Sequence, residues 1–264
     1  MSPPLPSVSS VLGDPPGSAA DDWTAAIVAE GLVKRFAAEK SRPTAFAALR
    51  RLLTGRGATF TALDAVSFQI QRGDRVAVIG NNGAGKSTLL KVLAGLHRPS
   101  AGRVALRGAP ILLSGLGIGM VDELSVRDNV SLYGAIYGIG RARTRAQLPE
   151  ILEWAELREF EWEKLKRLSS GMRARLAFSV LRYADADVYL LDEVLTAGDK
   201  DFREKCTEVF FGYQREGKTV VAATHDRAFA ETFCTRALWL QRGRVRAFGE
   251  AAEVVAEYYA TRAR

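Results

Sequence analysis

Residues 76–88 read Val-Ala-Val-Ile-Gly-Asn-Asn-Gly-Ala-Gly-Lys-Ser-Thr, and this stretch decides the fold. A short apolar run ends at Gly80, a glycine-rich turn follows, and residues 87–90 open a helical pattern. The spacing of the glycines, Lys86 and Ser87 in a strand–loop–helix setting is that of a phosphate-binding loop. A chance glycine turn before a helix is the alternative, and the Lys-Ser pair after a strand argues against it. The sequence therefore predicts a nucleoside triphosphate site.

The chemistry of this phosphate loop, residues 80–88, follows from its backbone. Glycines let successive N–H groups point at one centre, and the N-terminus of the following helix also favours an anion. Lys86 is predicted to reach the β- and γ-phosphates as a catalytic residue, and the Ser87 hydroxyl to bind Mg²⁺. The predicted nucleotide-binding residues of the loop are Gly80, Asn81, Asn82, Gly83, Ala84, Gly85, Lys86, Ser87 and Thr88.

Size and composition are those of a soluble globular protein. The 264 residues carry 47% hydrophobic and 25% charged side chains, and no run approaches 18 apolar residues. The N-terminus shows no secretory pattern. Cys206 and Cys234 fall in predicted helices, which indicates reduced thiols, and with His97 and His225 they lack metal-site spacing. The net charge of +7 fits nucleic acid, an anionic membrane surface or a polyanionic substrate as partner, and it fits an ordinary solvated arginine-rich surface at least as well.

The chain divides into three predicted parts. Residues 1–23 hold five of the nine prolines and are expected to form a disordered arm, and residues 251–264 a C-terminal helix. Residues 24–250 form the main domain, with a helical insertion at about 126–168. Alternating strands and helices after residue 170 favour an α/β fold with a mostly parallel sheet. Residues 37–59 predict a basic amphipathic helix, packed on a membrane, on a partner or on its own domain.

Two further segments carry groups that a phosphate-loop hydrolase needs. Val188 to Asp192 is an apolar strand that ends in a carboxylate, a predicted metal ligand, and Glu193 is a candidate general base for the attacking water. A helix N-cap is the alternative role for this acidic pair. His225 follows another strand, where its imidazole would hydrogen-bond the γ-phosphate or the water. A purely structural histidine is the alternative.

A second anion site is predicted before a long helix. The serine hydroxyls, the Gly171 backbone and the helix N-terminus would form it. Taken alone, this segment is also a simple serine N-cap. We call it the signature segment, and its residues are Leu168, Ser169, Ser170, Gly171 and Met172.

The order of these pieces resembles the nucleotide-binding subunit of ATP-binding cassette (ABC) transporters over roughly residues 25–250. The resemblance implies an ABC-type phosphate-loop NTPase fold with an antiparallel β subdomain, and ATP and Mg²⁺ as ligands. It implies a homodimer in which the signature segment contacts ATP bound to the opposite subunit. Asp199 lies in a segment that looks like the loop linking the two ATP sites. Phe36 is the predicted adenine platform, with Phe60 as second choice, and a place in the core is the alternative role for either ring.

Two departures from the common family pattern narrow the resemblance. The common signature of the family is Leu-Ser-Gly-Gly-Gln, and this chain has Ser170 and Met172 at the third and fifth positions. This variant is similar to the signature of ATPases of bacterial polysaccharide exporters, which serve capsules, O-antigens and teichoic acids. No Gln occurs between residues 72 and 146, so the usual metal-coupling Gln is missing, with Asp122 and Glu123 as candidates to replace it. The end of the chain at residue 264 is expected to leave no room for an added carbohydrate-binding domain, and the resemblance then favours a capsule-type or chain-length-independent exporter.

These features predict an ATPase subunit at the cytoplasmic face of the bacterial inner membrane. It would energise export of a lipid-linked polysaccharide through a separate integral membrane permease, which would handle the sugar itself. The basic surface would face anionic lipid or the permease, and no direct nucleic-acid contact is expected. A lipid or drug exporter is one alternative. A soluble ABC protein acting on ribosomes or nucleic acid is another, which the absence of a second cassette disfavours.

Overall fold

The computed structural model describes residues 24–37, 59–193 and 200–262. The predicted arm at 1–23, nearly all of the basic stretch at 37–59 and the predicted inter-site residue Asp199 lie outside these ranges.

A small antiparallel sheet forms the first layer. Its order is β2-β1-β4, and its strands are β1 (Ala25–Ala37), β2 (Thr59–Gln71) and β4 (Ala101–Leu106). β1 extends well beyond the apolar run at residues 26–29. Its pairing with both neighbours shifts register near Gly31, and such bulges let a strand continue through a break in its pattern.

The main sheet has the order β5-β6-β7-β3-β8-β9. It is parallel from β5 through β8, and only the edge strand β9 runs antiparallel. Its strands are β3 (Arg75–Ile79), β5 (Pro110–Ser114), β6 (Val188–Asp192), β7 (Thr219–Ala223), β8 (Arg236–Gln241) and β9 (Arg244–Glu250).

Both faces of the main sheet are buried, as continuous apolar strands require. In β3, Val76 and Val78 pack on one core cluster while Ala77 and Ile79 pack on the other. Each large aliphatic side chain buried in this way contributes about 1.5–3 kcal/mol relative to exposure. The sheet is thereby fixed between two layers, so the ends of its strands have defined positions.

Helices cover the sheet on both sides. They are α1 (Lys86–Leu93), α2 (Val126–Ile136), α3 (Arg141–Trp154), α4 (Ser170–Leu181), α5 (Lys200–Arg215), α6 (Arg227–Thr232) and α7 (Ala251–Arg262). α2 and α3 lie in the stretch predicted as a helical insertion, between β5 and β6. Ser125 caps α2 by accepting a hydrogen bond from the backbone N–H of Asp128 at 3.0 Å. In the ranges that the structure describes, no helix has the length and hydropathy needed to cross a membrane.

Both cysteines are buried free thiols. Cys206 lies in α5 as predicted, but Cys234 lies between α6 and β8 because α6 already ends at Thr232. Burial raises the pKa of Cys206 and raises the pKa of Cys234 to about 12. A buried thiol resists ionisation because a thiolate is poorly solvated there.

We expect the native chain to resist alkylation because only the thiolate reacts and both thiols stay neutral at pH 8. Mass spectrometry after iodoacetamide treatment should show almost no modification of the folded protein, and two modified thiols after denaturation in guanidinium. Rapid labelling of the folded chain at either position would contradict this description of the core.

Candidate nucleotide-binding site

The phosphate loop lies against the backbone of its neighbours. Gly80 and Gly85 have positive φ angles of 149° and 108°. A Cβ at Gly80 would lie 2.3 Å from the carbonyl oxygen of Leu240, and one at Gly85 would lie 2.6 Å from that of Ala62. Both positions therefore require glycine, and the loop is held in one conformation at the start of α1.

Lys86 extends over this loop from the first turn of α1. Only 8% of the residue is exposed. Its Nζ donates hydrogen bonds to the carbonyl oxygens of Gly80, at 2.9 Å, and Asn81, at 3.4 Å. A buried ammonium needs such acceptors, and the loop thereby holds a positive charge beside its own N–H groups. The arrangement suits the phosphates of a nucleotide.

Ser87 and Asp192 meet across 105 residues of sequence. The Ser87 hydroxyl donates to Asp192 Oδ1 at 2.9 Å. Hydroxyl and carboxylate oxygens are hard donors of the kind that Mg²⁺ prefers, and Mg²⁺ usually takes few protein ligands beside phosphate and water. The two side chains thus fit a Mg²⁺ ion bound together with a nucleotide.

Strand register explains why these segments converge. Ala223 in β7 pairs with Val78 in β3 on one side and with Asp192 in β6 on the other. Beyond this row, the backbone N–H of Thr224 donates to the Val78 carbonyl at 3.3 Å. The carboxyl ends of three adjacent parallel strands therefore deliver the phosphate loop, the acidic pair and His225 to one edge, where ligands bind in open α/β sheets.

Glu193 and His225 face each other at this edge. Glu193 Oε1 lies 3.7 Å from His225 Nδ1, and both side chains remain substantially exposed. Glu193 has a left-handed φ of 55°, and its N–H donates to the Ala223 carbonyl at 3.1 Å. A non-glycine residue in this region is strained, and such strain is common at active sites. The strand end thus turns the Glu193 carboxylate toward the histidine.

The signature segment stands at the N-terminus of α4. Ser169 is the N-cap, and its Oγ accepts from the Met172 N–H at 3.2 Å. Leu168 is buried, whereas Ser169 and Ser170 are exposed. The segment therefore has the structural cap role that the sequence left open, and it also presents an accessible helix N-terminus to a ligand or partner.

Residues 122–127 are joined to residues 161–166 by backbone hydrogen bonds. Leu165 N–H donates to the Leu124 carbonyl at 3.0 Å, and Val126 N–H to the Glu163 carbonyl at 2.9 Å. Two candidate metal ligands, Asp122 and Glu123, add side-chain ion pairs to this backbone pairing. Asp122 accepts from Arg173 in α4, and Glu123 accepts from Lys164 and Lys166. Both carboxylates thus pair with basic side chains that flank the signature segment.

Phe36 near the end of β1 is half-buried. Its ring meets His97 edge-on with centroids 5.4 Å apart, and Lys34 Nζ lies 4.9 Å from its centroid. Phe60, the second choice, is its cross-strand partner and is largely exposed. A role of either ring in stacking on adenine stays a prediction.

Two tyrosines of α7 also reach this edge of the sheet, although no spacing in the sequence indicates it. Tyr258 contacts Asn81 of the phosphate loop, and Tyr259 contacts the backbone of His225. Contacts between residues 177 and 34 positions apart depend on the packing of α7 and cannot be read from periodicity.

Residues 63–196, half of the chain, match the family model described as ABC transporter. The chain belongs to the ABC transporter family. It is 38% identical over 241 residues to an O-antigen export system ATP-binding protein RfbB of Myxococcus xanthus, covering 88% of this chain and 55% of that protein. It is 36% identical to the RfbB protein of Klebsiella pneumoniae, covering 79% and 84% respectively.

A third relative is the teichoic acids export ATP-binding protein TagH of Bacillus anthracis. It is 34% identical over 75% of this chain and 36% of its own length. The chain thus spans about a third to a half of the length of several relatives that it matches. The resemblance to ABC nucleotide-binding subunits inferred from the motifs is confirmed at the level of the family.

Solved structures confirm the fold class. A dimeric ATP-binding cassette in a post-hydrolysis state with ADP and Pi superposes with a TM-score of 0.68 at 23% identity, over 85% of this chain and 98% of that one. An ATP-binding subunit of an ABC transporter gives 0.69 at 22% identity, over 88% and 93%. The mostly parallel sheet, the antiparallel sheet and the covering helices match the predicted architecture.

Proposed function

We propose that this chain is the ATP-hydrolysing subunit of an ABC transporter that exports a lipid-linked polysaccharide. One observation carries the ATPase assignment: Lys86, Ser87, Asp192, Glu193 and His225 converge at the carboxyl ends of three adjacent strands. Within this group Ser87 lies 2.9 Å from Asp192 and Glu193 lies 3.7 Å from His225. These are the groups that phosphoryl transfer to water requires, in mutual reach.

The phosphates of ATP would occupy the phosphate loop. Lys86 would exchange its bonds to the loop carbonyls for the β- and γ-phosphate oxygens. Ser87 and Asp192 would hold Mg²⁺, which when bound neutralises charge on the β- and γ-phosphates. The loop N–H groups supply the remaining donors, so the triphosphate is fixed before reaction.

Hydrolysis would use the pair on the neighbouring strands. A water in line with the γ-phosphorus attacks it, the bond to the bridging oxygen of ADP breaks, and phosphate forms. The Glu193 carboxylate takes the proton of the attacking water, and His225 donates a hydrogen bond to a γ-phosphate oxygen. Their exposure in one subunit leaves room for the nucleotide and water on this surface.

A second copy of the chain would complete the site. The exposed N-terminus of α4, with Ser169, Ser170 and Gly171, would bind the triphosphate held on the partner's phosphate loop. The dimeric cassette among the similar structures supports this arrangement. Asp199 would link the two sites.

A permease would dock on exposed apolar side chains beside α2. Ile118, Val121 and Leu124 are exposed in the segment after β5, and Ile136 of α2 lies against the same segment near Gly119. Exposed apolar clusters mark interaction surfaces. The excess of basic residues would place this peripheral subunit at the cytoplasmic face of the inner membrane, beside anionic lipid.

The cargo assignment rests on the relatives. The names of the M. xanthus and K. pneumoniae proteins specify O-antigen export, and that of the B. anthracis protein specifies teichoic acids export. Both cargoes are polymers of the cell surface. The signature segment is similar to that subfamily too. A lipid or drug exporter with the same ATPase chemistry, and a soluble protein acting on ribosomes or nucleic acid, are the competing outcomes of the test.

The test is surface polysaccharide in a strain whose only copy carries Lys86→Ala. We expect surface glycan to fall to background and lipid-linked glycan to accumulate inside, since the variant lacks the ammonium that would bind the β- and γ-phosphates in the loop. Immunoblotting of surface glycan and mass spectrometry of the intracellular lipid fraction measure both quantities.

The matched control is Lys91→Ala, which removes a lysine from the last turn of the same helix. It should leave export unchanged. Normal surface glycan in the Lys86→Ala strain, with the variant protein present at wild-type level, would exclude polysaccharide export. Co-purification of the wild-type chain with ribosomes or nucleic acid, but not with membranes, would favour the soluble alternative.

A further inference from the structure

The last helix sends two adjacent side chains to opposite parts of the nucleotide site. The Tyr258 hydroxyl donates to Asn81 Oδ1 at 3.3 Å, in the phosphate loop. The Tyr259 hydroxyl donates to the carbonyl oxygen of His225 at 2.9 Å. Each hydroxyl therefore contacts one of the two segments between which the γ-phosphate would lie.

Packing fixes both tyrosines. Tyr258 is only 4% exposed and meets Trp239 of β8 edge-on, with centroids 5.5 Å apart. The Tyr259 ring lies under the Arg227 guanidinium of α6 at 5.2 Å. The two rings contact each other at 5.1 Å. Since each ring is held against a different element, α7 has little freedom to slide relative to the main sheet.

The contacted segments lead directly to reactive groups. The carbonyl oxygen of Asn81 accepts a hydrogen bond from Lys86 Nζ at 3.4 Å, while its side chain accepts from Tyr258. His225 faces Glu193 through its ring, while its carbonyl accepts from Tyr259. One tyrosine thus supports the residue beside the phosphate-binding lysine, and the other supports the residue beside the general base.

We propose that Tyr258 and Tyr259 are positioning residues that set the phosphate loop and His225 at a fixed separation for ATP hydrolysis. This inference rests on the roles proposed above for Lys86, Glu193 and His225. Because the two tyrosines are neighbours on one helix, a displacement of α7 moves both contacts together. The helix therefore keeps the phosphate-holding side and the water-activating side of the site in register.

The test uses Tyr→Phe variants of the full chain, which keep both rings and remove one hydroxyl each. Loss of a single hydrogen bond changes a rate or binding constant by about three- to tenfold. We expect Tyr259→Phe to lower kcat by that factor with KM for MgATP within about twofold. Tyr258→Phe should instead raise KM and the Kd for MgADP by that factor, with kcat within about twofold.

A control separates positioning from general stability. Tyr189 donates a buried hydrogen bond of 2.9 Å to the Ala184 carbonyl, near the amino-terminal end of β6 and away from the site. Tyr189→Phe should lower Tm at least as much as the α7 variants do, with kcat and KM unchanged. Steady-state phosphate release, MgADP titration and thermal melts on the same preparations give all four quantities.

Two results would overturn the proposal while leaving the ATPase assignment in place. One is wild-type kcat and KM in both α7 variants, with hydrolysis lost in Lys86→Ala. The other is a loss of kcat in Tyr189→Phe equal to that in Tyr259→Phe. Wild-type hydrolysis by Lys86→Ala would instead overturn the site assignment, and with it the role given to the tyrosines.

Discussion

The Glu193→Gln variant is expected to bind MgATP as the wild-type chain does and to hydrolyse it about 10²- to 10⁴-fold more slowly. The amide keeps the size and the hydrogen-bonding reach of the side chain but accepts no proton from water. Because ATP persists, the variant should also form a stable ATP-dependent dimer. Phosphate release gives kcat, nucleotide titration gives Kd, and light scattering with and without MgATP gives the oligomeric state.

The matched control is Glu216→Gln. Glu216 is an exposed carboxylate just before the amino-terminal end of β7, whereas His225 follows the carboxyl end of the same strand. This variant should retain wild-type turnover. Rapid hydrolysis by Glu193→Gln would remove Glu193 from the base role, and a dimer that forms equally without nucleotide would contradict ATP as the link between subunits.

Gly85→Ala should weaken nucleotide binding strongly, with a Kd for MgATP raised by about 30-fold or more. The left-handed φ of 108° costs an alanine about 1–2 kcal/mol. In addition, the new Cβ would meet the Ala62 carbonyl oxygen at 2.6 Å, and such overpacking costs about 1–3 kcal/mol. Backbone cannot rotate away as a side chain can, so the loop itself must shift and its N–H groups lose their common centre.

Gly217→Ala is the control for the cost of placing an alanine at a left-handed φ without a steric clash. Gly217 also has a left-handed φ, of 69°, but a Cβ there would meet no atom within 4 Å. It should lower Tm moderately and leave the Kd for MgATP unchanged. Circular dichroism shows whether Gly85→Ala remains folded. Tight nucleotide binding by a folded Gly85→Ala chain would contradict the loop geometry described here.

The centre of the fold could be predicted from the sequence because two signals coincide there. β3, β6 and β7 are short apolar runs, and each ends at a residue with its own chemical signature. Parallel strands bring such ends together, so the contact of Ser87 with the Asp192 carboxylate followed from the order of motifs. The antiparallel sheet was harder to predict from the sequence. Its strand β1 passes through Glu30-Gly31 and Lys34-Arg35, which interrupt the apolar pattern of the strand.

The contacts that the sequence did not reveal depend on packing between distant segments. Asp122 and Glu123 are the sequence's candidates to replace the metal-coupling Gln, and backbone pairing of 122–127 with 161–166 places them beside Arg173, Lys164 and Lys166. The tyrosines of α7 are a second case. No period or spacing links Tyr258 to Asn81, and only the placement of α7 against β8 does so.

The pairing of residues 122–127 with 161–166 has a consequence for an assembled transporter. The apolar segment that would receive the permease is fastened through this pairing to the start of α4, whose signature residues would contact the nucleotide on the other subunit. A displacement of this segment by one permease half would then act first on the contact between α4 and the ATP bound to the opposite subunit. Each permease half would then be coupled to the nucleotide of the opposite subunit, so that hydrolysis in either subunit would depend on both permease halves.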